Sequence, residues 1–129
     1  MSNNGKVFIG AQQSELNAVL MYREFAKRTK NEELKQLFLE AAADEGNHAA
    51  ILSKYTNRKL QPQKFQAKML GIAFRLFPKK LMFFAISKGE YAGGNAYKPY
   101  VKDYPEFEKM MKDEYRHGET FAGLIKKKM

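Results

Sequence analysis

The chain has 129 residues, 44% hydrophobic and 29% charged, and carries a net charge of +9 from 23 basic and 14 acidic side chains. This length and balance suit one globular domain with its own core rather than a disordered chain. There is no cysteine, which excludes a disulfide framework, an iron–sulfur cluster and a rubredoxin-type site within this chain, and fits a reducing, cytoplasmic setting.

The positive charge permits nucleic acid, an anionic membrane or an acidic protein as partner. No nucleic-acid motif accompanies it, so the expectation is a solvated basic surface of scattered lysines and no nucleic-acid partner. The N-terminus MSNNGKVFIG lacks the apolar core and cleavage site of a signal peptide. The most apolar stretch, MLGIAFRLFPKKLMFFAIS, is interrupted by Arg75, Pro78, Lys79 and Lys80, so no transmembrane segment is expected.

Leu16, Val19, Leu20, Tyr22 and Phe25 fall mostly at three- and four-residue spacings and predict a helix over about 11–29. After the turn at KNEE, Asn31 suits an N-cap, and Leu34, Leu37, Phe38, Ala41, Ala42, Ile51 and Leu52 form the stripe of a second helix over about 32–55. TNRKLQPQ, residues 56–63, reads as a linker, with Asn57 and Pro62 suited to the end of one helix and the start of another. A short apolar helix follows over about 63–76.

Pro78 opens a third long helix predicted to reach Lys102, although Gly93, Gly94 and Pro99 weaken it and Pro99 should kink it or end it early. DYPEFE marks the last turn, and the fourth long helix ends in the basic run Lys126 to Lys128, well placed at a helix C-terminus. No alternating strand pattern appears. The expected fold is all-α, one domain over 1–129: hairpin one at about 11–56, a crossover with a short helix at about 57–77, and hairpin two at about 78–127.

The halves resemble each other. Glu15 precedes Tyr22 as Glu90 precedes Tyr97, at the same spacing, and each pair is followed by a turn and then Asp-Glu-x-x-His, at Asp44 to His48 and Asp113 to His117. The chain has only two histidines, and both stand three residues after a glutamate. Residues at i and i+3 share a helix face, so Glu45 and His48 aim at one point, as do Glu114 and His117.

A two-metal carboxylate site needs a further glutamate from each of the other two helices at matching depth. Glu15 and Glu45 lie equally far before and after the turn at Lys30, about 22 Å from it at ~1.5 Å per residue. Glu90 and Glu114 straddle Lys102 in the same way. Glu24 fails this depth test, and Glu40 has no following histidine. The candidate metal ligands are therefore Glu15, Glu45, His48, Glu90, Glu114 and His117.

Four carboxylates would neutralise two divalent cations, and two imidazoles suit iron, zinc or manganese better than calcium or magnesium. Without metal the carboxylates would resist burial together. The small residues Ala41 to Ala43, Gly46, Ala49 and Ala50 would leave room for metal and for close helix approach.

The pattern Glu … Glu-x-x-His … Glu … Glu-x-x-His resembles the ferritin-like di-iron carboxylate proteins. SELNAVLMYREFA followed by FLEAAADEGNHA is most similar to the erythrin bundle of the rubrerythrins, over about residues 11–125. The resemblance implies a ferritin-like four-helix bundle holding two iron ions that cycle between Fe2+ and Fe3+, with zinc or manganese as substitutes. It implies Glu15 and Glu90 as mainly terminal ligands, Glu45 and Glu114 as bridges, and a histidine on each iron.

Tyr22 and Tyr97 would hydrogen-bond ligand carboxylates, or simply fill core. Asp44 and Asp113 would accept a histidine N–H, or lie on a solvated face. Rubrerythrins carry a rubredoxin-type domain, missing here, so electrons must come from a separate, rubredoxin-like donor. They also place an extra glutamate one turn after the third-helix ligand. Gly93 stands at that position, which favours a fixed six-ligand site over one in which an iron shifts.

The function implied is a non-haem di-iron oxidoreductase that reduces peroxide or dioxygen, a peroxidase or ferroxidase, working as a homodimer. The competing readings are iron handling without turnover, a di-iron hydroxylase, and a structural bundle with no metal. GIAFRLFPKKLMFF reads as a crossover packed on the bundle or in a dimer interface, or as a docking segment for a partner or a membrane surface.

Overall fold

A computed structural model describes residues 3–126. The described residues form five α-helices and one 3-10 turn: α1 Asn3–Arg28, α2 Glu32–Thr56, α3 Lys64–Leu76, α4 Lys79–Tyr97, the 3-10 turn Lys98–Tyr100, and α5 Glu106–Ile125. There is no strand among them. The chain groups into two compact units, Met1–Leu76 and Phe77–Met129. No helix of the described residues is long and apolar enough to cross a membrane.

In the first unit α1 and α2 pair as a hairpin, and α3 packs on α1. The turn between α1 and α2 is fixed by Asn31, whose side chain accepts the N–H of Leu34 at 3.0 Å. This satisfies one of the donors that a helix start leaves open. At the other end Asn57 takes the left-handed conformation at φ 55°, and its N–H bonds the carbonyl of Ser53, the geometry with which a helix is closed at its C-cap. The sequence places α1 about eight residues short. It starts at Asn3 rather than near Ala11, because Phe8 has a buried place against Tyr55, ring centroids 6.1 Å apart.

The linker is tied to α1 rather than loose. Gln12 and Gln13 donate to the carbonyls of Arg58 and Gln61, at 3.0 and 2.9 Å. Asn17 accepts the N–H of Gln63 at 2.8 Å and donates to its side chain at 2.9 Å. These bonds deliver α3 onto α1. Its buried face is Ala67, Gly71 and Phe74, and Phe74 stacks on Phe25 at 4.7 Å and meets Phe38 edge-on at 5.4 Å. Gly71 lets α3 come close to α1, since a Cβ there would lie 2.8 Å from the guanidinium of Arg28 and 3.1 Å from Cβ of Glu24.

In the second unit α4 and α5 pair as a hairpin. Pro78 stands at the N-cap of α4, as the sequence suggests. The helix ends at Tyr97, not at Lys102. Pro99 has no N–H to continue the ladder, and the chain tightens into the 3-10 turn around it. The turn is closed by aromatic packing, with Tyr104 stacked on Phe107 at 5.3 Å and Tyr97 edge-on to Phe107 at 5.5 Å. Further along, Phe83 and Phe121 stack at 6.5 Å. Helix α5 ends at Ile125, with Lys126 at its C-cap. Lys127 and Lys128 of the predicted basic run lie outside the described residues.

Candidate metal centre

Each hairpin gathers three of the six candidate ligands. In the first, Glu15 comes from α1 and Glu45 and His48 from α2, and ligand-capable atoms of the three lie within 4.8 Å of one another. Nδ1 of His48 is 2.9 Å from Oε2 of Glu15 and 3.3 Å from Oε1 of Glu45. In the second, Glu90 comes from α4 and Glu114 and His117 from α5, again within 4.8 Å. Nδ1 of His117 is 3.3 Å from Oε1 of Glu90. The geometry follows from the sequence: i, i+3 spacing sets Glu and His on one face, and equal distance from the turn sets the partner glutamate opposite them.

All six residues are at most 5% exposed. Ionised carboxylates are almost never buried unless something compensates them, and each hairpin buries two beside an imidazole. Oε1 of Glu45 and Oε1 of Glu114 are buried and accept no hydrogen bond, although the former does lie near the His48 ring. Two carboxylates and one imidazole within coordinating reach form an oxygen and nitrogen donor set that fits iron, and also zinc or manganese.

The flanking candidates divide. Tyr22 is fully buried and packs on Phe38 at 6.0 Å and Phe25 at 6.3 Å. Tyr97 is buried against Phe107. Both tyrosines thus belong to aromatic cores. Asp113 is buried and accepts from Lys109 at 3.1 Å and from Arg116 at 3.0 Å, both on its own helix, so it is not a solvated face. Asp44 is half-buried.

The small-residue expectation for α2 holds only in part. Ala41, Ala42 and Ala49 are buried, but Ala43 and Ala50 point to solvent, because they sit off the face that carries Glu45 and His48. A Cβ on Gly46 would make only an ordinary 3.8 Å contact with Val19.

Gly93 acquires a physical role. A Cβ there would stand 2.8 Å from Oε2 of Glu114, so the carboxylate occupies the space a side chain at 93 would take. Sequence reading also missed a pair of clasps. Tyr115 lies over Gly94, where a Cβ would come within 2.4 Å of its ring, and Tyr91 lies over Gly118, with a corresponding approach of 3.0 Å. The two rings are 6.1 Å apart, and the Tyr115 hydroxyl donates to Asn95 at 2.6 Å. Each of these tyrosines directly follows a candidate ligand, Glu90 or Glu114, and each glycine lies four residues beyond that ligand. Near them the Ser87 hydroxyl donates to the Gly118 carbonyl at 2.8 Å, a further tie between α4 and α5. The doubled Glu-Tyr-x-x-Gly spacing was the signal available in the sequence.

The chain is similar to several oxidative cyclases. It is 30% identical over 131 residues to the magnesium-protoporphyrin IX monomethyl ester [oxidative] cyclase of Prochlorococcus marinus (strain MIT 9215), covering 91% of this chain and 34% of that protein. The aerobic cyclase of Rubrivivax gelatinosus is 26% identical over 137 residues, covering 92% and 36%. The cyclase of Porphyra purpurea is 31% identical over 130 residues, covering 88% and 36%. The chain thus spans about a third of the length of these curated relatives. No solved structure matches it significantly. The profile of the rubrerythrin family matches residues 9–125, with both ligand triads inside the match. On that match the chain belongs to the rubrerythrin family, and its fold class is the all-α, ferritin-like bundle.

Proposed function

We propose that this chain is a di-iron oxidoreductase that reduces peroxide or dioxygen with electrons from a separate donor. The observation that carries the reading is the duplicated buried triad: Glu15, Glu45 and His48 in one hairpin, and Glu90, Glu114 and His117 in the other. Membership of the rubrerythrin family supports using the two triads as a pair. Glu15, Glu45 and His48, with Glu90, Glu114 and His117, would hold the two ions, with two carboxylates and one neutral imidazole available for each.

Two ferrous ions, when bound, supply the two electrons that cleave an O–O bond. The chain's own residues do the rest. Four carboxylates balance the charge of two divalent ions, so no net charge is left in the protein interior. Burial of all six side chains keeps bulk water from the reacting centre. The aromatic packing of Tyr22 and Tyr97 holds these rings on the helices that carry Glu15 and Glu90, where their hydroxyls would orient a ligand carboxylate. Peroxide takes two electrons and two protons to give two waters. With no cysteine in the chain, the electrons arrive from outside, and a rubredoxin-like protein suits the role. We propose the homodimer as the working form.

The test is peroxide consumption by iron-loaded protein with an artificial reductant. Glu45→Ala and Glu114→Ala should each abolish the iron-dependent turnover, and unchanged turnover in both would sink the proposal. A second reading, oxidation of an organic substrate, is favoured by the relatives, all oxidative cyclases by name. Reductant consumed with dioxygen only when an organic substrate is present, and no peroxide turnover, would favour that reading over the first.

A further inference from the structure

The net charge of this chain is confined to one stretch. Residues 46–89 hold nine of the 23 lysines and arginines and not one aspartate or glutamate. The rest of the chain has 14 cations against 14 anions, so the whole +9 resides between Gly46 and Gly89. Helix α3 lies inside this stretch, and its outer face is apolar.

Phe65, Met69, Ile72 and Leu76 are 78, 49, 43 and 76% exposed. Their spacings of four, three and four place them in one row, about 17 Å long at ~1.5 Å per residue. The row is opposite Ala67, Gly71 and Phe74, which face α1. Lys64, Lys68 and Arg75 are exposed and form a second row along one border of the stripe. The platform is rigid, because Phe74 is locked into the Phe25 and Phe38 cluster and the preceding linker is bonded to α1.

We propose that the outer face of α3 docks on an anionic membrane surface. Four large apolar side chains on a convex ridge suit insertion among lipid chains. The bordering lysines and arginine can lay their aliphatic stems along the stripe and reach headgroup phosphates with their charged ends. Helix α3 itself carries three cations and no anion, so it complements a surface of one sign and needs no matched pattern of partner charges. A second copy of the chain is the poorer occupant, because it would bring two such segments together. The inference is independent of the metal centre.

The experiment is co-sedimentation of the full chain with vesicles, either phosphatidylcholine alone or phosphatidylcholine mixed with phosphatidylglycerol. The chain should bind the mixed vesicles at least about tenfold more tightly, and added salt should weaken that binding. Lys64→Gln with Lys68→Gln should weaken it about thirtyfold. Phe65→Ser with Leu76→Ser should abolish stable binding while helicity and metal content stay unchanged, because both side chains are exposed. Three results would overturn the proposal. One is no binding to the mixed vesicles even at low salt. Another is binding that Phe65→Ser with Leu76→Ser leaves intact, which is charge adsorption without a docking face. The third is a solution dimer that the same pair dissociates, with no affinity for lipid.

Discussion

Gly93 and Glu114 show how one missing side chain sets the position of a candidate ligand. The Glu114 carboxylate fills the space in which a side chain at 93 would begin. Gly93→Ala should therefore move Oε2 of Glu114. The moving part is the end of a flexible side chain, so the fold should survive. Metal affinity should fall by about tenfold or more, the range typical when a ligand's orientation is disturbed. Competition with a chelator measures this, and an unchanged affinity would show that Glu114 does not need that space.

Away from the site, Arg28 and then Lys27 hydrogen-bond Glu24 and hold its carboxyl below the usual 4.5. A depressed folded-state value means stability that is full above the unfolded value and is lost as pH falls below it and through the folded value. Glu24→Gln should thus lower Tm at neutral pH, with the difference from the parent shrinking below pH 4.5. Parallel thermal melts at neutral and acid pH would show it.

At the level of helices, the second hairpin is registered by its tyrosine and glycine clasps. Tyr115 on Gly94 and Tyr91 on Gly118 fix how far α4 can slide along α5, and so fix Glu90 against Glu114 and His117. Gly94→Ala would force the Tyr115 ring outward. Overpacking of this kind typically costs about 1–3 kcal/mol, which denaturant unfolding would detect. The loss should exceed that of Gly123→Ala, where a Cβ meets nothing within 4 Å.

These clasps also mark what the sequence left unread. Helices α2 and α3 were legible to within a residue or so, because Asn31, Asn57 and the apolar period announce their ends locally. The start of α1 and the end of α4 were not. The first depends on Phe8 finding Tyr55 far along the chain, and the second on whether Pro99 bends a helix or ends it. The triads were legible because a repeat states each of them twice and helical spacing converts directly into direction. Asp113's bonds to Lys109 and Arg116, and the space above Gly93, were not, because they depend on rotamers and close approach rather than on spacing.

The whole molecule combines two separately readable properties. One is a pair of buried carboxylate and histidine triads in a member of the rubrerythrin family. The other is a charge distribution that leaves most of the chain neutral and one stretch strongly cationic. Buried carboxylates are a burden to a fold without metal, so metal should stabilise the native state by mass action. The most direct test of the central claim is an anaerobic titration of metal-free protein with Fe(II), followed by metal content per chain and by Tm. Two ions per chain are expected, with Tm rising until the second is bound, and with both lost together in Glu45→Ala or Glu114→Ala. A chain that takes up no iron, or whose uptake and Tm are the same in those two variants, would contradict the account.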